Sequence, residues 1–254
     1  MLDYLNFDSE GKKIVSRMDG INQDMLMDIT VYQMKAGKVL EFEESEKETA
    51  ILLLGGNVKY EWLEHSETAE RADVFTQAPY CLHVCKGIKV RITALKDSEI
   101  LVQSTTNEKE FECHYYTPKD LKIEVMGDTQ WEGTAKREVV TVFDYFNAPY
   151  SNMVIGESIT KAGRWSSYIP HSHPQPEVYY YKFDRPQGFG ASFIGDKVYK
   201  VTDGSASYIP GGETHPQASA PGYNMYYCWM IRHLENNPWK TRDNDPLHTW
   251  LLEQ

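Results

Sequence analysis

No stretch of this sequence approaches the roughly 18 consecutive apolar residues that a membrane-spanning helix needs, so no membrane partner is expected. Residues 1–20 carry Asp3, Asp8, Glu10, Lys12 and Lys13 and lack the unbroken apolar segment of an export signal. Cysteine is scarce. Cys81, Cys85, Cys113 and Cys228 make neither a dense disulfide framework nor the paired C-x-x-C knuckles of a structural zinc site. Cys81 and Cys85 read as reduced, half-buried thiols, which fits a cytoplasmic protein. Positive charge is also short, with 26 Lys and Arg against 37 Asp and Glu, a net charge of -11 and no basic run. Such a surface repels phosphate backbones and excludes nucleic acid as an expected partner. Helical periodicity is weak throughout.

What the chain has is aromatic and β-forming. Of its 254 residues 41% are apolar and 13% aromatic, and short apolar runs are punctuated by Gly, Pro, Asp and Asn. That pattern predicts antiparallel strands closed into sandwiches or barrels, an all-β protein. A weak internal repeat divides it: Lys35-Ala36-Gly37 returns as Lys161-Ala162-Gly163, 126 residues later, each followed by a polar stretch and an apolar strand. The strand-like residues 50–56 and 177–183 follow at equivalent places. Two domains are therefore expected, 1–132 and 133–254, with the boundary in the polar residues 127–136, before a strand at 137–143.

The second half holds the chemistry. His171-Ser172-His173 is followed by Pro174-Gln175-Pro176 and then Glu177. Alternate residues of a strand share one face, so both imidazoles turn inward together, and Glu177 opens the next strand with a carboxylate available to the same interior. A fourth donor, His215, ends the run from Gly204 through Pro210 and Gly212. Three imidazoles and one carboxylate suit one divalent transition metal per chain, Zn²⁺ foremost, with Mn²⁺, Fe²⁺, Co²⁺ and Ni²⁺ open. Ca²⁺ and Mg²⁺ prefer an all-oxygen shell. The first half has Ser45 and Lys47 where the second has His171 and His173, and a lone His83 near the place of His215. It is expected to bind no metal and to support assembly, with His83 a core or interface residue.

The run G-x5-P-x-G-x2-H at 204–215 is the second cupin motif, and His171-x-His173 with Glu177 resembles the first. Together they imply a bicupin of two tandem jelly-roll β-barrels, metal-binding in the second. Residues 163–173 resemble the Trp-Ser-Ser...His-x-His run of the bacterial 5-deoxyglucuronate isomerases of myo-inositol catabolism. Further similarity lies in Tyr179-Tyr180-Tyr181, residues 186–190, 220–223 and 245–250, and Tyr226-Tyr227. The three residues between His173 and Glu177 are shorter than the acidic insertion of that family and are similar to the sister family, the 5-keto-4-deoxyuronate isomerases of pectin breakdown.

The resemblance implies an aldose–ketose isomerase acting on a deoxy-uronic acid, with 5-deoxy-D-glucuronate to 5-dehydro-2-deoxy-D-gluconate as the first reading. An Fe²⁺ dioxygenase with the same ligands and a catalytically idle sugar-binding cupin are the rivals. Strand parity from His171 and Glu177 directs Trp165, Ser167, Ile169, Tyr179, Tyr181 and Phe183 to the pocket wall. Tyr179 and Tyr227 are the proton-transfer candidates. A sugar acid also needs a local cation in so acidic a protein. Arg164 and Arg185 flank the metal strands, and Arg185 with Gln187 and Trp165 completes the expected substrate contacts. Exposed barrel edges favour a homo-oligomer.

Overall fold

The alternating segments become strands that pair antiparallel, joined by short turns, in a computed structural model that describes residues 1–253. Among the described residues the helices are three short 3₁₀ turns, and none is long and apolar enough to cross a membrane. The strands gather into two compact units.

The amino-terminal unit comprises Asn6–Leu121 and Ala148–Asn152. Its spine is the long strand Lys47–Trp62, whose first half lies between Cys81–Val84 and Ser98–Thr106 and whose second half pairs with His65–Arg71 and Val90–Ala94. The strand changes sheets at a register shift between Leu53 and Gly55. At Gly56 (φ +106) a Cβ would lie 2.6 Å from the Asp97 carbonyl oxygen, so glycine permits the crossing. Ile51, Leu53, Tyr60, Trp62, Ile92 and Ile100 fill the interior between the two sheets. At the place corresponding to His173, Lys47 turns to Asp28, 2.6 Å away.

His83 is fully buried and pairs with Glu48. One Glu48 oxygen, Oε2, accepts from His83 Nε2 and Ser151 Oγ, each at 2.8 Å. The other, Oε1, accepts from Asn107 Nδ2 at 3.0 Å and the Asn152 backbone N–H at 2.6 Å. A carboxylate with four donors in a dry interior anchors the 148–152 segment to this unit. Glu48→Ala strands those donors and is expected to lower unfolding stability by about 3 kcal/mol. Urea titration checks this, and a loss below about 1 kcal/mol would contradict an anchoring role.

The carboxyl-terminal unit comprises Met1–Leu5, Lys122–Asn147 and the chain from Met153 onward. Its larger sheet runs Leu2–Tyr4, Ser205–Ile209, Glu177–Phe183, Met225–Arg232, Met153–Thr160, Arg137–Phe143, Lys122–Met126. A smaller sheet holds Trp165–Ser166, Gln217–Ser219, Phe189–Ile194 and Lys197–Thr202. The strands expected at 137–143 and 177–183 form with those bounds.

The division of the chain differs from the expected break at 132/133. Lys122–Met126 pairs with Arg137–Phe143, so the polar residues 127–136 are the loop of a hairpin inside one unit. Leu2–Tyr4 likewise pairs with Ser205–Ser207 of the carboxyl-terminal unit. Gly and polar residues mark a turn equally well in a hairpin and in a linker, and pairing partners decide which it is.

Candidate metal centre and its cavity

Glu177 opens the central strand of the larger sheet, paired with Ile209 on one side and Ile231 on the other. His173 follows the two-residue strand His171–Ser172. His215 lies beyond the turn at Pro210-Gly211-Gly212, which is tied to the histidine segment by the Gly212 N–H donating to the His173 carbonyl at 2.8 Å. Gly211 permits this approach, because a Cβ there would collide with the Pro174 carbonyl. His173, Glu177 and His215 thus converge, all buried, with their ligand atoms within 4.8 Å of one another.

Each imidazole is oriented from behind. Nδ1–H donates to a backbone carbonyl in His171 (Ile169, 2.9 Å), His173 (Gln175, 3.0 Å) and His215 (Glu213, 2.9 Å). A carbonyl only accepts, so the proton sits on Nδ1 and a neutral ring presents a bare Nε2 lone pair. Burial pushes His215 below its ordinary value and His171 down to about 2, with the His215 and Arg242 charges adding to the latter shift. Glu177 Oε2 nevertheless lies 3.2 Å from His173 Nε2 and 3.3 Å from His215 Nε2. With Nδ1 turned to a carbonyl behind each ring, the two Nε2 atoms and the carboxylate oxygen are placed as ligands of one shared cation would be. Two ligands on a tetrahedral ion with bonds of about 2.0–2.1 Å sit about 3.3 Å apart. The residues present therefore fit a divalent ion with nitrogen and carboxylate donors. His171 is outside the tight group but adjoins it, its ring centroid 4.8 Å from that of His215.

The group opens into a cavity of about 110 Å³. Tyr179 and Tyr227 form one wall, their rings stacked at 4.4 Å. Their hydroxyls share Ser167 Oγ, each at 3.2 Å, and Tyr227 donates to Ser166 Oγ at 3.0 Å, which accepts in turn from Thr160 at 2.8 Å. Burial, then the Glu177 charge, holds the Tyr179 hydroxyl well above the ordinary phenol range, so it stays protonated. Arg137 and Arg242 supply positive charge, Trp229 and Trp239 apolar cover. Ser158 and Trp239 line the same space, and their buried Oγ and Nε1 have no hydrogen-bond partner among the described residues.

Several expected contacts lie elsewhere. Arg185 and Gln187 are exposed in the turn after Glu177–Phe183, and neither lines the cavity. Trp165 packs on Tyr168 and Phe193, also outside it. Parity failed at Trp165 because residues 165–173 are not one strand. Trp165–Ser166 and His171–Ser172 belong to different sheets, and Ser167 between them has φ +49. The cations in the cavity, Arg137 and Arg242, carried no distinguishing sequence signal. The first opens an ordinary apolar strand, and the second sits in a polar tail three residues before the motif at 245–250.

A model of the KduI/IolB family matches residues 3–251. The chain belongs to that family. Among its relatives, the 5-deoxy-glucuronate isomerase of Bacillus licheniformis is 27% identical over 97% of this chain and 95% of its own. That of Geobacillus kaustophilus is 27% identical over 88% of this chain and 84% of its own. Among solved structures, an IolB-like protein from Salmonella typhimurium LT2 superposes with a TM-score of 0.88 at 20% identity, covering 99% of this chain and 98% of its own. The oxalate decarboxylase of Lactobacillus farciminis gives 0.70 at 13% identity, covering 99% and 88%. These likenesses show the expected all-β cupin fold.

Proposed function

We propose that this family member is a metal-dependent aldose–ketose isomerase of a deoxy-uronic acid, with 5-deoxy-D-glucuronate to 5-dehydro-2-deoxy-D-gluconate as its reaction. What carries the reading is the cavity itself, in which a three-ligand group meets a pair of hydrogen-bonded phenols. The isomerase names of the curated relatives support it. His173, Glu177 and His215 hold the ion, with His171 as fourth ligand. When bound, the ion supplies a Lewis acid for the substrate's carbonyl oxygen.

Isomerisation moves one hydrogen between adjacent carbons while a proton leaves one oxygen and another joins its neighbour. Tyr179, kept protonated, donates to an oxygen that gains charge. Ser167 Oγ, 3.2 Å from both phenols, holds the Tyr179 hydroxyl in place, and the proton Tyr179 gives up is made good by the one that the neighbouring substrate oxygen releases. Trp229 and Trp239 help keep the site dry.

The decisive measurement is NMR in deuterium oxide, with metal-loaded protein and either 5-deoxy-D-glucuronate or 5-keto-4-deoxyuronate. One deuterium should enter the new carbon–hydrogen bond of the isomerised product, and Tyr179→Phe should lower kcat by about 10²-fold or more with little change in KM. No turnover of either acid would defeat the isomerase reading. Turnover of the second alone would move the substrate to the sister reaction.

A further inference from the structure

Two guanidinium groups line the cavity, and their surroundings differ. Arg137 is 3% exposed, and its terminal nitrogens already donate to the carbonyls of Ala135 and Tyr168, both at 2.9 Å. It is a positive wall held in place by two of its five donors. Arg242 is half-buried in the same cavity and has no acidic partner among the described residues. The titratable groups that face it are the phenols of Tyr179 and Tyr227, together with His171, His215 and Arg137. The neighbouring acids are turned elsewhere: Asp243 is exposed, and Asp245 caps the following turn by accepting from the Leu247 N–H at 2.9 Å.

Arg242 is also held in register with the metal ligands. Asp243 and Asn244 pair with Ser172 and His171, and the Asp245 N–H donates to the Pro170 carbonyl at 2.9 Å. The tail is thus laced along the histidine segment, and the side chain just before the ladder enters the cavity from a rigid backbone. A planar, permanently charged fork without an acceptor, in a partly dry pocket, matches a carboxylate bidentately. Ser158 Oγ and Trp239 Nε1, both without partners, offer hydrogen bonds to the hydroxyls that a sugar acid carries beside its carboxylate.

We infer that Arg242 is the carboxylate clamp of this site, binding the acid end of the substrate and selecting sugar acids over neutral sugars. The assignment rests on the sugar-acid reading above and replaces the expected role of Arg185. It makes the carboxyl-terminal tail, which lies far from the cupin motifs in sequence, a determinant of specificity.

Calorimetric binding to the metal-loaded protein tests this, with 5-deoxy-D-glucuronate compared with the neutral sugar bearing CH₂OH in place of its carboxylate. Wild-type protein should prefer the acid. Arg242→Gln should weaken acid binding roughly 10- to 100-fold, leave the neutral sugar within about threefold, and keep its full metal content. Arg242→Lys should recover part of the preference, since it restores the charge without the fork. In kinetics the Gln variant should raise KM for the acid far more than it lowers kcat. An acid preference that survives in Arg242→Gln would overturn the assignment, as would equal weakening of both sugars or no preference in the wild type. Failure of the isomerase reading shows separately, as acid binding by the wild type without turnover.

Discussion

Replacing His173 and His215 together with alanine should take the bound metal from about one ion per chain to essentially none and lower turnover by at least about 10²–10³-fold. The two imidazoles face one Glu177 oxygen at 3.2 and 3.3 Å, and each is held in the ligating tautomer by a backbone carbonyl. Without them Glu177 and, at the edge of the group, His171 remain, and two donors hold a transition metal far more weakly against water than four. Metal analysis after dialysis reads the result, and full retention would remove the site assignment. His171→Ala is the informative companion. As a fourth ligand His171 should matter to metal affinity as much as His215 does. If it only packs on the His215 ring, 4.8 Å away, affinity should hold while His215 loosens.

Gly211→Ala should weaken metal binding by about 10²-fold or more, although Gly211 offers no ligand. The added methyl would overlap the Pro174 carbonyl, a backbone group that cannot swing aside as a long side chain would. The His215 turn must then part from the segment that carries His173, and a metal triad tolerates little displacement. Overpacking of this kind also costs about 1–3 kcal/mol of stability. Gly212→Ala separates the causes. Its φ is +89 and a Cβ there would meet nothing within 4 Å, so alanine strains the backbone without wedging the loops. Metal titration should therefore find Gly212→Ala close to wild type and Gly211→Ala far weaker. Equal losses in both would assign the effect to turn strain rather than to loop separation.

Much of the site was legible in the residues alone. The spacing of His171, His173 and Glu177, with the turn motif ending at His215, nominated a ligand group from residue type and local spacing, and the fold brings His173, Glu177 and His215 of it together. The adjacent motifs nominated Tyr179 and Tyr227, which line the cavity. The strands at 137–143 and 177–183 were legible because apolar alternation is a local property of a chain with one face buried. His83 was expected in a core or an interface, and it is buried against Glu48, a partner 35 residues earlier in the chain.

Sequence by itself determined the all-β class and singled out His173, Glu177 and His215, which converge in the fold, since each follows from periodicity or from the chemistry of nearby residues. Tertiary structure decided what depends on distant partners. Pairing of 122–126 with 137–143 turned an apparent linker into a hairpin loop, and Leu2–Tyr4 joined the carboxyl-terminal unit's sheet. A positive φ at Ser167 broke the alternation that would have carried Trp165 inward. The ladder between His171–Ser172 and Asp243–Asn244 delivered Arg242 to the cavity, where no local pattern pointed. A charged side chain in a polar tail looks like any solvated one, and only the chain folding back onto the histidines sets it facing a substrate.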